Sequence, residues 1–326
     1  MSKSGLQMCV TGGNGFIGRC LVNTLIGRGF HVRVLTRRSD CVFQEGVEVV
    51  RGDLTSPDCP LDKFLVGCDV VFHCAGEIHD VENMHLLHID GSQRLLQAVL
   101  KTSTQTRQKI HWVQLSSVGA YGPPCNLTTS DRMVNEDTPL RPVGEYEITK
   151  TRADELVMLA SHGSSKLTYS IVRPSNVFGA SMTNNSLREL IKMVKSGLFF
   201  YVGKPGAIAT YVHVEDVVSA LIKSSFEPMA KGRIYNLSND CLLDELIKHI
   251  ASLLGVRPPW MRIPEMPIRA MVEFFDGWMN IPLTQSRIDA LVKRTRYPTD
   301  RIVSELAFSF SKPMPESISD LVREFF

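Results

Sequence analysis

The distribution of hydrophobic positions predicts an α/β fold. Over the first two-thirds of the 326 residues, short β-branched apolar runs alternate with longer segments of helical periodicity. This alternation is typical of a parallel sheet whose strands are joined by crossover helices. The candidate strands are Gln7–Val10, His31–Leu35, Val47–Arg51, Val70–His73, Ile110–Leu115 and Thr168–Val172. The candidate helices begin near Phe16, Met84, Glu145 and Ser186.

The pattern loosens after about residue 176, where prolines separate short helical pieces. We therefore expect residues 1–175 to form the sheet domain. Residues 176–326 should form mainly a smaller lobe over the carboxyl edge of the sheet, with some segments returning to the sheet. Within this lobe the segment Ile268–Met279 is amphipathic and predicts a helix packed on the core, with a membrane or partner helix as the alternative.

Composition narrows the classes of protein to consider. The net charge is +2 with both signs interleaved, so the chain lacks the massed basic residues of a nucleic-acid-binding surface. Eight cysteines occur without a Cys-x-x-Cys pair, and their positions suit reduced thiols in the cytoplasm. We find neither a secretory signal pattern nor an apolar run long enough for a membrane span, and we expect a cytoplasmic protein.

A glycine-rich run follows the first candidate strand and opens the first candidate helix. In this context the glycines permit a tight turn, close approach of the backbone to a pyrophosphate and close helix–strand packing. The phosphates would lie at the positive end of the helix. The run predicts a Rossmann-type doubly wound sheet that binds a dinucleotide. Its predicted cofactor contacts are Gly12, Asn14, Gly15, Phe16, Ile17 and Gly18.

The end of the second candidate strand predicts which dinucleotide is bound. Cofactors without a 2′-phosphate usually meet an acidic residue there, whereas this chain has Thr36 followed by Arg37 and Arg38. A guanidinium group binds phosphate with paired donors. NADP(H) is therefore the favoured cofactor and NAD(H) is possible. A solvated turn with incidental charges is the alternative interpretation.

Tyr146 and Lys150 lie four residues apart in a helical stretch, so their side chains project from one face. A nearby ammonium stabilises a phenolate and lowers the pKa of the phenol toward neutrality. No other tyrosine of the chain has this spacing to a lysine. Together with Ser117 at the end of a strand, the pair is suited to the proton transfer that accompanies hydride transfer at a carbonyl carbon.

These motifs resemble the extended branch of the short-chain dehydrogenase/reductase family, which includes nucleotide-sugar epimerases and dehydratases and steroid and flavonoid reductases. The stretch from Gln114 to Gly122 resembles the serine-bearing strand end of that family, and Arg173-Pro174-Ser175-Asn176 resembles its proline-containing strand end. The resemblance implies catalytic roles for Ser117, Tyr146 and Lys150. It also implies a homodimer packed through helices near residues 84–101 and 145–162.

The same resemblance assigns further binding positions. Cofactor contacts are implied for Asp53 and Leu54 near the adenine, for Ala75 and Gly76 near its ribose, and for Lys150 and Pro174. Substrate contacts are implied for Glu77, Ser117, Tyr146 and Asn176.

The chain departs from the family pattern at three places. His88 stands where an asparagine is usual, and its part in proton transfer is open. Val118 and Gly119 replace the Asp-Glu pair of the dehydratases, so elimination of water lacks its carboxylates. No arginine lies between Gly206 and Tyr211, where many nucleotide-sugar enzymes carry one for the diphosphate.

Four hypotheses remain from the sequence. The leading one is an NADP(H)-dependent reductase of a ketone, most simply the 4-keto group of a nucleotide sugar. The second is a nucleotide-sugar 4-epimerase with tightly bound NAD. The third is a reductase of a steroid-like or flavonoid-like ketone, which the missing arginine favours. The fourth is a non-catalytic dinucleotide sensor. No metal is expected, although His73, His79, His85 and His88 lie close together in sequence.

Overall fold

The computed structural model describes residues 5–124, 131–182, 184–275 and 284–326. The strands are β1 Gln7–Thr11, β2 His31–Thr36, β3 Val47–Arg51, β4 Cys68–His73, β5 Ile110–Leu115, β6 Arg132–Met133, β7 Leu167–Pro174, β8 Asn176–Phe178, β9 Tyr201–Val202, β10 Ile208–His213, β11 Arg233–Leu237, β12 Asn239–Leu242, β13 Arg262–Ile263 and β14 Thr295–Arg296. The helices are α1 Phe16–Gly27, α2 Leu61–Phe64, α3 Val81–His85, α4 Ser92–Thr106, α5 Glu145–His162, α6 Ser186–Lys195, α7 Val214–Phe226, α8 Leu243–Leu254, α9 Glu265–Phe275, α10 Gln285–Val292, α11 Asp300–Leu306 and α12 Ser319–Val322.

The main sheet confirms the predicted Rossmann-type architecture. Within the described residues it has seven strands in the order β3-β2-β1-β4-β5-β7-β11, and all neighbours are parallel. The chain first builds outward from β1 to β3 and then returns to place β4 on the other side of β1. Such a reversal opens a crevice at the carboxyl ends of the two strands, which is where open α/β sheets bind nucleotides.

Both faces of this sheet are buried, as the near-continuous apolar strands predict. One face packs against α1, α7 and α11, with Leu21, Leu221 and Ile302 in its core. The other face packs against α2, α4 and α5, with Phe64, Leu95 and Val157 in its core. The six candidate strands are all present, and most extend one to three residues beyond the predicted bounds.

The chain beyond residue 176 forms a second core and also returns to the main sheet. Strands β8, β10 and β12 make a small separate sheet, and α6, α8 and α12 pack around it. Strand β11 and helix α7, in contrast, belong to the main sheet and its cover. The division of the chain at residue 175 therefore stays a prediction, because segments on both sides of it contribute to the main sheet.

The amphipathic segment Ile268–Met279 includes most of α9. Ile268 and Val272 are buried and share a cluster with Val202 and Ile288, so this face packs as predicted. The opposite face is apolar as well, with Met266 77% and Phe274 78% exposed. Residues 276–279 of the predicted segment lie outside the described residues. Nowhere in the described residues is a helix both long and apolar enough to cross a membrane.

Candidate active site

The glycine turn after β1 lies so close to the end of β4 that side chains have no room. Gly12 has a φ of +68°, and a Cβ on it would lie 2.5 Å from the carbonyl carbon of Cys74. A Cβ on Gly18 would overlap the carbonyl oxygen of Gly12. The N–H of Gly15 donates to the same oxygen at 2.9 Å. The turn therefore presents main chain, rather than side chains, to the crevice.

The N-terminus of α1 is open to an anion. Gly15 gives it no side-chain cap, and its first turn contains no acidic residue. The first N–H groups of a helix have no partner inside the helix and lie at the positive end of its dipole. Nearby, the Asn14 amide donates to the Thr36 hydroxyl, while its carbonyl oxygen is buried without a partner among the described residues. The cradle and this free acceptor fit a dinucleotide.

The predicted selectivity residues lie together at the end of β2. The buried Thr36 hydroxyl accepts from the backbone N–H of Arg38 at 3.2 Å, which fixes the path of the turn. The Arg37 side chain is 58% exposed, and its guanidinium lies 3.9 Å from the Asp53 carboxylate. A surface pair at this distance contributes little to stability, so the guanidinium can turn to a phosphate at little cost.

The remaining predicted cofactor residues are distributed around the crevice. The Ala75 N–H donates to the Thr11 hydroxyl at 3.3 Å, and Gly76 lies against His88. Leu54 is buried, and Phe16 and Ile17 pack on the C-terminal core and the sheet core respectively. Pro174 ends β7, which is two strands away from β4. The structure thus brings the residues of β1, β2 and β4 together and leaves Pro174 farther along the sheet edge.

Ser117 follows β5 and caps a short 3-10 turn, Val118–Tyr121. Its hydroxyl oxygen accepts a hydrogen bond from the Gly119 N–H at 3.0 Å. A hydroxyl that accepts in this way keeps its own proton available for a second partner. Because Ser117 also lines the cleft described below, that proton is available to a substrate oxygen.

Lys150 is 5% exposed and is hydrogen-bonded to the end of β5, the strand that precedes Ser117. Its ammonium donates to the carbonyl oxygen of Leu115 at 2.5 Å, so one of its three donors is used and the catalytic helix is tied to the end of β5. Burial lowers the pKa of this lysine, while the charge of Asp154 opposes that shift.

The pKa of Tyr146 differs from the expectation that Lys150 lowers it. Burial, with the negative charges of Glu147 and Asp154 as smaller causes, raises the pKa of the Tyr146 phenol to about 12. The phenol is thus a weak acid that stays protonated at neutral pH. That state suits a proton donor better than a base.

A buried ion pair supports the catalytic helix one turn beyond Lys150. The Asp154 carboxylate accepts from the Ser116 hydroxyl at 2.7 Å and from the Arg173 guanidinium at 3.0 Å. Arg173 also donates to the hydroxyl of Tyr121 at 3.1 Å. These contacts join α5 to β5 and β7, and removing one partner of such a buried pair costs about 3–5 kcal/mol. The spacing between Ser117 and Lys150 is therefore held by the core.

His88 joins two loops of the site as a neutral ring. It lies in a π-helical turn, Leu86–Gly91, between α3 and α4. Its Nε2 accepts from the backbone N–H of Glu77 at 2.9 Å, so its Nδ1 carries the proton and lies 2.8 Å from the Thr149 hydroxyl. Burial, with the charge of Lys150, lowers its pKa to about 3. Both ring nitrogens are therefore occupied, and they join the loop after β4 to helix α5.

A cleft of about 480 Å³ opens beside Ser117. Its walls come from the 3-10 turn, the start of α5, β8, α10 and β14. Asn176 lines it and donates to the carbonyl of Thr210 at 3.1 Å, and its substrate role stays a prediction. The carboxylate of Glu77 instead accepts from the N–H groups of Ile78 and His79, so the structure does not bring it into this cleft.

Four charged residues of the cleft were not foreseen, and one of them is Asp289 on α10. Lys293 and Arg294 come from the chain between α10 and β14, and Arg294 donates to the carbonyl of Pro205 beside Gly206. The Arg294 guanidinium therefore lies beside Gly206, at the start of the segment to Tyr211 that itself contains no arginine. No local pattern links these distant segments. Glu147 directly follows Tyr146 on the first turn of α5, and that position was the available signal.

The clustered histidines have separate partners. His73 lies between the hydroxyls of Thr11 and Ser92, and His85 pairs with Glu145 at 3.1 Å. Among the residues described here, no three metal-ligating side chains gather in one place.

Comparison with known proteins identifies the family. The family model described as "NAD dependent epimerase/dehydratase family" matches residues 8–238, which cover the main sheet, the glycine turn and the Ser-Tyr-Lys residues. The chain belongs to the NAD-dependent epimerase/dehydratase family. Members of this extended short-chain dehydrogenase/reductase group are NAD(P)-dependent enzymes, and this chain is therefore one of them.

The proteins that this chain resembles include two reductases, and its fold is similar to that of an epimerase. It is 29% identical, over 88% of its length and 84% of the relative's, to the 4-hydroxy-2-methyl-3-oxo-4-farnesyl-3,4-dihydroquinoline-1-oxide ketoreductase of Stigmatella aurantiaca. It is 25% identical, over 95% of its length and 88% of the relative's, to the ceramide reductase of Caulobacter vibrioides. The structure of UDP-glucose 4-epimerase from Thermotoga maritima matches with a TM-score of 0.74 at 18% identity, covering 98% of each chain, which shows a shared fold.

Proposed function

We propose that this protein is an NADP(H)-dependent reductase of a ketone. The observation that carries the proposal is that Ser117 faces the cleft and that Lys150, on the same helix as Tyr146, is hydrogen-bonded to the end of β5 just before Ser117. The named ketoreductase among the relatives supports the same direction of reaction.

Each side chain has a defined part in this reaction. A bound NADPH would supply the hydride. The Ser117 hydroxyl donates to the ketone oxygen and holds it beside Tyr146. The Tyr146 phenol, protonated at neutral pH because its pKa is raised to about 12, gives its proton to the oxygen as negative charge develops. The Lys150 ammonium, with two donors left after its bond to Leu115, orients the cofactor ribose and stabilises the phenolate that forms.

The proposal of NADP(H) rests on the turn after β2. Thr36 is a small buried hydroxyl, and the exposed guanidinium of Arg37 is held only loosely by Asp53. Together they offer space and paired donors to a 2′-phosphate.

For the substrate, the relatives named above favour a ketone on a largely apolar molecule, which corresponds to the steroid-like or flavonoid-like alternative. A second candidate is the 4-keto group of a nucleotide sugar. Lys293 and Arg294 favour it, because two cations on one wall of the cleft suit a diphosphate.

The test is NADPH consumption by the purified protein with two ketones, a 3-oxosteroid and a UDP-4-keto sugar. In Tyr146→Phe we expect the turnover number to fall by about 10²–10⁴-fold with NADPH binding retained, because only the transferred proton is removed. Tyr169→Phe is the matched control, since that phenol lies near the opposite end of β7. Arg294→Ala should weaken only the reaction of the nucleotide sugar.

Three results would contradict the proposal. If Tyr146→Phe turns over as fast as the native protein, the phenol is not the proton donor. If the protein consumes no NADPH but retains NAD⁺ through purification and interconverts sugar epimers, it is the epimerase. If it binds a dinucleotide and turns over neither ketone nor sugar, it is a sensor.

A further inference from the structure

Glu147 places a carboxylate beside the Ser117 hydroxyl. A Cβ added to Gly119 would lie 2.6 Å from Glu147 Cγ, 3.4 Å from Glu147 Oε1 and 3.3 Å from Ser117 Oγ. The carboxylate charge also acts on the Tyr146 phenol, whose pKa it raises after the larger effect of burial. The carboxylate therefore lies beside the hydroxyl that would hold the ketone oxygen, on the residue that follows the proposed proton donor.

The absence of a side chain at two glycines makes room for this carboxylate. Any residue larger than glycine at position 119 would collide with the Glu147 stem, and a Cβ at Gly144 would overlap Glu147 Oε2. At the third position of α5, a glutamate commonly reaches back to the N–H of the helix cap. Among the described residues, however, no donor to the Glu147 carboxylate is found.

The other charges of the cleft differ because each has a partner. Asp289 pairs with Arg269 at 2.6 Å, and Arg294 lies 3.7 Å from Asp131. Lys293 donates to the hydroxyl of Tyr297 at 3.2 Å. In the part of the chain that the structure describes, Glu147 has no cation within ion-pair distance, although it is half-buried and lines the cleft. A half-buried carboxylate without a partner is costly, and a ligand donor would offset that cost.

We propose that Glu147 determines which ketones react: it selects those with a hydroxyl, amine or amide N–H within one or two carbons of the carbonyl and rejects those with a carboxylate there. This inference rests on the proposed reductase function. A donor at that place would give the carboxylate a charge-assisted hydrogen bond, whereas a second carboxylate would be repelled in a site of reduced dielectric constant.

The test uses three simple ketones with NADPH: cyclohexanone, 2-hydroxycyclohexanone and 3-oxocyclohexanecarboxylate. We expect the native protein to prefer the hydroxyketone to cyclohexanone by about tenfold in kcat/KM, and cyclohexanone to the carboxylate by about 100-fold. In Glu147→Gln the ratio of kcat/KM for the carboxylate to that for cyclohexanone should rise by about tenfold or more, because the repelling charge is gone. In Glu147→Ala the preference for the hydroxyketone should also disappear.

Glu145→Gln is the matched control. It removes the same charge from the same turn of α5, but its carboxylate pairs with His85 at 3.1 Å and is absent from the cleft wall. Both ratios should stay as in the native protein. The inference is overturned if Glu147→Gln leaves both ratios unchanged, or if the native protein reduces the carboxylate as well as cyclohexanone.

A failure of the reductase function gives a different result. In that case the native protein consumes no NADPH with any of the three ketones, and their binding is measured by ligand-observed NMR in the native protein and in Glu147→Gln. Binding of the hydroxyketone in preference to the carboxylate, lost in the variant, still supports the selectivity of Glu147. Equal binding of the two, or binding of neither, overturns it.

Discussion

The predicted nucleotide cradle and the cleft beside Ser117 are built on opposite principles. The cradle is main chain, packed so closely that a Cβ on Gly12 would lie 2.5 Å from the backbone of Cys74. The cleft is lined by side chains, including Glu147, Lys293 and Arg294, that come from distant parts of the sequence. The cradle can therefore be destroyed by a single methyl group, whereas the cleft can change its charges and keep its shape.

This difference has a physical cause. A pyrophosphate is the same in every dinucleotide, and backbone N–H groups at a helix terminus bind it without side chains. A substrate differs from one enzyme to the next, so its recognition falls to side chains on connecting segments. The predicted catalytic residues Tyr146 and Lys150 lie on α5, and the buried pair of Asp154 and Arg173 holds this helix to the core.

Among the substitutions proposed here, Gly18→Ala should have the largest effect on cofactor binding by the cradle. Because the new Cβ would overlap the carbonyl oxygen of Gly12, the turn must open, and we expect NADPH affinity to fall by about 100-fold or more, about 2.7 kcal/mol or more. Calorimetry with NADPH measures this loss. Gly27→Ala is the control on the same helix, since a Cβ there meets nothing within 4 Å.

The control should bind NADPH as the native protein does. If Gly18→Ala and Gly27→Ala bind equally well, the close packing of the turn has no part in cofactor binding, and the cradle would be no more demanding than the cleft.

The same contrast explains what could be predicted from sequence. The cradle and the Tyr-Lys pair are contiguous motifs, so Gly12, Gly15, Gly18, Tyr146 and Lys150 could be proposed as site residues from their spacing. The parallel sheet followed from the alternation of apolar runs with helical segments. Arg294 was missed because it reaches Gly206 from a segment almost ninety residues away, and no local pattern encodes that contact.

Two details required the structure for a different reason. The neutral state of His88 depends on partners at Glu77 and Thr149, and these contacts exist only after folding. The raised pKa of Tyr146 depends on burial and on the charge of Glu147, which outweigh the expected effect of Lys150. Both are properties of the environment of a residue rather than of its spacing in the chain.

A smaller effect is expected at His88, whose neutral ring should make the free energy of unfolding depend on pH. Its pKa is about 3 in the folded protein and about 6.5 in the unfolded chain, so the unfolded chain binds the extra proton between these values. The free energy of unfolding should therefore fall as the pH falls from about 6.5 toward 3, by up to about 1.4 kcal/mol per pH unit from this group.

Urea unfolding at pH 7 and pH 5 tests this expectation. The loss of stability between the two pH values should be smaller in His88→Asn than in the native protein by up to about 2 kcal/mol. The buried rings of His73 and His111, whose pKa values are also lowered by burial, remain in the variant and keep part of the dependence. His162→Asn, at an exposed position at the end of α5, is the control. An unchanged loss in His88→Asn would mean that this ring is not held neutral.

The smallest effect concerns Arg37, a charged side chain of the cradle. Arg37→Ala should lower the affinity for NADPH by about tenfold, or about 1.4 kcal/mol, and should affect NADH far less because NADH has no 2′-phosphate. Calorimetry with both cofactors measures the difference, and Arg28→Ala removes the same charge at the far end of α1 as a control. Equal losses for NADPH and NADH would contradict the assignment of Arg37 to the 2′-phosphate. Tightly retained NAD⁺ without a preference for NADPH would favour the epimerase. A selective loss, in contrast, would show that the choice between cofactors depends on one exposed guanidinium, in the way that selection in the cleft is proposed to depend on Glu147.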